Sequence, residues 1–193
     1  LRTFIYTSEW NKIFDIIELF IAEMAEINGF DKNDLSWYFN SIFENESVWY
    51  RIASEGIIIH ITNEQELNEI NTTKSLPRLS KNHFEKAIIE FSKRTDANYK
   101  LVARESIDWI EALMRDILGE EKIILWKAIN KIQSDARYSK YTLLFDWLDK
   151  IWAFANDQLR HAEKSEESII WFHDAKFILV LASSIANYIE SIR

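Results

Sequence analysis

Cysteine is absent from this chain, proline occurs once and glycine three times in 193 residues. Without cysteine there is no disulfide and no thiolate metal site, which fits a reducing cytoplasm. Three isolated glycines cannot build a phosphate-cradling loop, and so few breakers exclude a turn-rich sandwich or barrel. No apolar run reaches the roughly 18 residues that cross a bilayer, and no signal-peptide pattern opens the chain, so no membrane partner is expected. Metal motifs are missing too. The histidines stand at 60, 83, 161 and 173, with no HExxH, no pair at i, i+4 and no Glu-x-x-His. Neither a metal nor a cofactor is therefore expected. Ser106, in the string RESID, lacks the flanking glycines of a nucleophile elbow.

What the chain does have is bulk. It is 48% apolar, with eight Trp, twelve Phe and seven Tyr, enough to bury a core as one domain or as two closely packed parts. The fold class expected is mostly α. Charge is unevenly placed within the net −8. Residues 1–73 carry 4 basic and 13 acidic side chains, a balance of −9, whereas 74–104 carry 8 and 3, a balance of +5. The first stretch argues against a general nucleic-acid coat, and the second reads either as an ordinary solvated helix face or as a local RNA- or tRNA-contacting patch. Arg78, Lys81 and Lys100 are its phosphate-binding candidates.

Periodicity predicts a first helix to about Ile27, capped by Ser8 or Thr7, with Trp10, Ile13, Phe14, Ile17, Phe20, Ile21 and Met24 inward and Glu18, Glu23 and Glu26 outward. Asn28-Gly29 ends it. A second helix starts at Asp31 or Asn33. WYRIASEGIIIHIT then reads as a β-hairpin, Tyr50–Ala53 and Ile57–Ile61 around a Ser54-Glu55-Gly56 turn, with Thr62 or Asn63 capping a short acidic helix. The boundary falls in NTTKSLPRLS, 71–80, dividing 1–73 from 74–193. Beyond it, Ser80 caps a helix to about Lys93, and Tyr99–Leu118 forms a long helix closed by Gly119. In that helix Ala103, Ile107, Ile110, Met114 and Ile117 make the core stripe, and Arg104, Asp108, Glu111 and Arg115 make a ladder of alternating charge. Helices at about 121–133 and 139–155 follow, then a polar link. A terminal helix has a stripe of Ile170, Phe177, Leu181, Ile185, Tyr188 and Ile192.

Two places offer groups for chemistry on RNA. Metal-free cleavage needs a proton acceptor for the 2′-hydroxyl, a donor for the leaving oxygen and a cation over the phosphate. Histidine and arginine supply these. Arg160-His161 lies in the polar link, with His173 and Asp174 in the early turns of the terminal helix. The alternative is His83, five residues after Arg78, an Arg-x4–6-His spacing that chance alone supplies about 0.6 times in a chain of this composition.

Four strings in one order carry a family likeness: LRTFIYTSEWNKIFDIIELF, YRIASEGIIIHITNEQELNEI, NHFEKAIIEFSKRTDANYKLVARESIDWIEAL and LRHA…DAKFILVLASSIANYIESI. Together they resemble the fourth class of AbiJ N-terminal domain, a bacterial abortive-infection (phage-defence) module of HEPN-like helical type, over nearly the whole chain. The resemblance implies that residues 74–193 form a HEPN-like bundle of four to five helices, with 1–73 packed on it. It also marks His83, Tyr99, Glu105, Glu111, Arg160, His161, Asp174 and Ala175 as positions where the family shows the same residue types. Many HEPN ribonucleases are dimers whose Arg and His have four to six residues between them at the start of the last helix. Here Arg160 directly precedes His161.

Two functions follow. In one, the chain is a non-catalytic sensor or interaction module, a homodimer or the companion of a defence-system protein. Glu105 then bridges Arg160, and His161 and Asp174 satisfy the start of the terminal helix. In the other, the chain is a metal-independent RNA endonuclease. There His161 (or His83) moves protons, Arg160 and Arg104 hold phosphate, and Glu105 or Asp174 orients them. The departure in spacing favours the first.

Overall fold

The computed structural model describes residues 8–73, 78–136, 138–164 and 170–192. In order these form α1 (Trp10–Asn28), α2 (Lys32–Asn45), β1 (Arg51–Ile52), a 3-10 turn (Ser54–Gly56), β2 (Ile58–Ile59), α3 (Glu64–Thr72), α4 (Arg78–Ser92), α5 (Tyr99–Leu118), α6 (Leu125–Ser134), a 3-10 turn (Ser139–Tyr141), α7 (Thr142–Lys164) and α8 (Phe172–Ser191). The protein is mostly α, with one small antiparallel hairpin pairing Arg51 with Ile59 and Ile52 with Ile58. No described helix is long and apolar enough to cross a membrane. The described residues fall into two compact units: those up to residue 74 together with Ser92–Asp96, and those of 75–91 and 97–193.

Local chemistry sets the helix ends. Asp31 accepts the Asn33 N–H at 2.7 Å, Asn63 accepts those of Gln65 and Glu66, and Asn98 accepts that of Leu101. Each oxygen satisfies a donor that the first helical turn leaves unpaired. Gly29 and Gly119 close α1 and α5 in the left-handed conformation. The residue before α1 is Glu9, without a side-chain bond, rather than Ser8, and the other expected cap, Thr7, lies outside the described residues. α4 begins at Arg78 rather than Ser80.

In the first unit, Ile21, Phe43, Ile52 and Ile58 form the core, with Phe14, Ile17, Leu35, Phe39, Val48 and Tyr50 against it. The hairpin turn sits tightly on α1. At Gly56, φ is +83° and an added Cβ would lie 2.8 Å from the Ile21 Cγ2. α1 is less buried than its periodicity predicts. Of the seven residues expected inside, Ile21 is fully buried while Trp10 and Phe20 are exposed. A two-stranded hairpin and one helix offer too little surface to cover a stripe of seven. Glu18, expected outside, is drawn in because its carboxylate accepts the Ile58 N–H at 2.6 Å and meets Arg94 at 3.0 Å.

The second unit is built on α5, which buries Val102, Ala103, Ser106, Ile107, Trp109, Ile110, Ala112, Leu113 and Met114. Its core stripe is the expected one, except that Ile117 is half-buried. α8 packs most extensively on it, and the residues α8 buries are Ala175, Ile178, Leu179, Ala182, Ser183, Ile185, Ala186 and Ile189. This corrects the terminal stripe, since Phe177 and Tyr188 are exposed. Small side chains let two helix backbones approach closely, so the alanine-rich face wins over the bulkier one. Buried Ser106 and Ser183 donate to the carbonyls of Val102 and Leu179 one turn back, satisfying their hydroxyls in the core.

Candidate functional site

α4 buries Phe84, Ala87, Ile88 and Phe91, a helical spacing that leaves His83 at the solvent edge of that face. On α5, buried Ser106 and Trp109 likewise leave Glu105 and Asp108, one turn apart, at its rim. The Phe84 and Trp109 rings meet with centroids 4.8 Å apart and form the apolar floor. Above it, His83 Nδ1 lies 2.7 Å from Glu105 Oε2. Donor atoms of His83, Glu105 and Asp108 all lie within 4.8 Å of one another. Arg104 Nε is 3.7 Å from Asp108 Oδ2, with most of its side chain in solvent. The Asp108 carboxyl is held above its ordinary value, chiefly because burial strips water from the charged form. The nearby His83 and Arg104 charges pull it down, and Glu105 and Glu111 push it further up.

Other predicted site residues lie elsewhere or are engaged. Glu111 accepts from Arg115 and, through Oε2, from the Leu125 N–H at 3.1 Å, while Arg115 Nε donates to the Ile123 carbonyl. This network fastens the start of α6 to α5, so Glu111 belongs to the scaffold. Asp174 accepts the Trp171 N–H at 3.0 Å and caps its own helix. Lys81 pairs with Glu85 one turn on, and Lys100 is half-buried and engaged. Tyr99 packs edge-on against Phe172, which stacks on Phe91.

Arg160 and His161 do not stand in a polar link. α7 continues to Lys164 and includes both in its last turns, because 156–164 holds no glycine or proline to stop it. Their side chains, like that of Arg78, lie outside the described residues. Among the described residues Glu105 meets His83, and the expected Glu105–Arg160 bridge falls on a side chain outside them.

The first unit holds a second feature. A groove of about 600 Å³ runs between α2, β1 and α3, lined by Asn33, Asn40, Gln65, Asn68, Arg51 and Trp37 among others. Asn40 is structural, its amide pairing with both the N–H and the carbonyl of Ile52 at 2.7 and 2.9 Å. Trp37 is 73% exposed. Nearby in sequence, the Trp49 and Tyr50 rings both stack on His60, and Trp49 is 72% exposed. No periodicity argument marks an exposed tryptophan in advance. The signal was the count of aromatics in a segment too small to bury them.

Residues 1–76 match the family model of AbiJ N-terminal domain 4. The resemblance to the AbiJ family holds over that stretch, which contains the groove and the exposed Trp37 and Trp49. It ties the segment to an abortive-infection, phage-defence family. The strings from residue 82 onward lie outside the match, and so does the His83 cluster. Comparison with curated proteins and with solved structures gives no match.

Proposed function

We propose that this chain is an antiviral module of abortive-infection type that senses or docks a protein partner and does not itself catalyse a reaction. Trp37 carries the reading, as a large apolar side chain standing in solvent on the wall of an amide-lined groove, within the AbiJ-type segment. Exposed aromatic anchors beside satisfiable polar groups are what a protein interface buries first. The −9 balance of residues 1–73 selects a basic partner surface and repels nucleic acid. Residues 74–193 act in this reading as a HEPN-like bundle, with homodimerisation or RNA contact through 74–104 as its accessory properties. The test is phage challenge of bacteria expressing the chain. Trp37→Ala should abolish protection and release the co-purifying partner while the thermal midpoint stays put. Full protection by the variant would defeat the proposal.

One observation favours a second reading, metal-independent RNA cleavage in the cytoplasm. An imidazole whose Nδ1–H donates to Glu105 presents Nε2 as a proton acceptor, and Arg104 is near enough to meet a phosphate. Arg160 and His161 remain candidates for the same chemistry. Incubation with total RNA and tRNA in chelator decides it. Fragments ending in a 2′,3′-cyclic phosphate, lost in His83→Ala or His161→Ala, would establish the nuclease.

A further inference from the structure

We propose that His83, Glu105 and Asp108 form a binding site for a divalent transition-metal ion of the Zn²⁺ or Mn²⁺ class. The donors are one imidazole nitrogen and two carboxylate oxygens, a set that suits these ions and needs no thiolate. They come from two helices, His83 on α4 and the i, i+3 pair Glu105 and Asp108 on α5. A search for motifs along one helix passes over such a site.

The spacing fits. Donors around an ion at 2.0–2.2 Å stand about 2.8–3.6 Å apart between cis-octahedral and tetrahedral arrangements. His83 and Glu105 are already near that separation at 2.7 Å, and no donor pair exceeds 4.8 Å. The Phe84–Trp109 ring contact joins α4 and α5 at the residues next to these donors, which leaves side-chain rotation to close the remainder. The side chains of His83, Glu105 and Asp108 are 32%, 13% and 40% exposed, which leaves a path for the ion. Arg104 is the resident competitor. It touches Asp108 at 3.7 Å, is mostly solvated and can swing away at little cost. Three protein donors leave coordination positions open to water or to a phosphate oxygen. An ion there would clamp α4 to α5 and occupy the imidazole lone pair, so it excludes use of His83 as a metal-free base.

The experiment is calorimetric titration of the full chain, stripped with chelator and dialysed, with Zn²⁺ and separately with Mn²⁺. One equivalent is expected to bind, weakened at least tenfold in both His83→Ala and Asp108→Asn and unchanged in His173→Ala. Co²⁺ should give visible bands that shift in the two affected variants. Should His83→Ala fail to fold, Asp108→Asn decides, being isosteric and leaving the His83–Glu105 bond in place. Absence of saturable binding near one equivalent, or binding unaltered in Asp108→Asn, overturns the site.

Discussion

The Glu18 carboxylate accepts the backbone N–H of Ile58, forty residues along the chain, at 2.6 Å, and the same oxygen lies 3.0 Å from Arg94. One side chain thus fastens α1 to the hairpin and to the short stretch Ser92–Asp96 within the first unit. Arg94 completes the arrangement by donating to Asp15 at 2.5 Å and lying over the Phe14 ring. Glu18→Ala should therefore destabilise by about 1–3 kcal/mol, the cost of stranding a part-buried N–H. Glu18→Gln keeps an acceptor and should lose less. Urea denaturation of the two variants measures the difference, and equal losses would mean the acceptor role is unimportant.

Two glycines in the same region should respond differently to alanine. At Gly29, φ is +69° with nothing within 4 Å of an added Cβ, so Gly29→Ala pays for backbone conformation alone, about 1 kcal/mol. At Gly56 the added Cβ meets Ile21 Cγ2 at 2.8 Å, inside the buried core. Gly56→Ala should cost more, about 2–4 kcal/mol once overpacking joins the backbone strain. Thermal unfolding that ranks the two the other way would contradict the hairpin's seat on α1.

Asp108 predicts a pH dependence. Its carboxyl binds a proton more tightly in the folded protein than at the ordinary value of 3.8, so ionising it opposes folding. The penalty is complete above the folded value, shrinks as pH falls through it, and vanishes below the ordinary value. Measured in chelator, Asp108→Asn should raise the thermal midpoint at pH 7, with the gain fading towards pH 3–4. A gain that grew with acid would reverse the assigned direction.

Trp37 and Trp49, at 73% and 72% exposure, contribute little to the folded core. Replacing either by alanine should change stability by no more than about 0.5 kcal/mol, the range of surface substitutions. A large loss of stability at Trp37 would mark it as structural and remove the main support for a docking role.

Much of the architecture is legible in the residues themselves. The α5 stripe from Ala103 to Met114, the Gly119 stop, Asp31 and Asn63 as one of two candidate caps each, and the Ser54-Glu55-Gly56 turn follow from periodicity and from which residues tolerate which backbone. Those are local properties, settled within a few residues. The candidate site is harder to read. Glu105 and Asp108 share a face by spacing, but nothing in a linear string says that His83 on another helix will meet them. The extent of α7 through Arg160 and His161 is equally hard to read, because a polar segment looks like a link although its composition permits helix.

Composition and local pattern specify a helical protein without disulfides, acidic at its start and basic in its middle, and they set where most helices begin and end. Tertiary structure alone decided which apolar face of α8 is covered, that Glu18 turns inward, that Trp10 and Phe20 stay in solvent, and that His83 stands 2.7 Å from Glu105. The physical reason is that caps and periodicity act over a turn or two of backbone. Burial depends on how closely two particular surfaces approach, and small residues such as Ala182 and Ala186 settle that only once a partner helix is present.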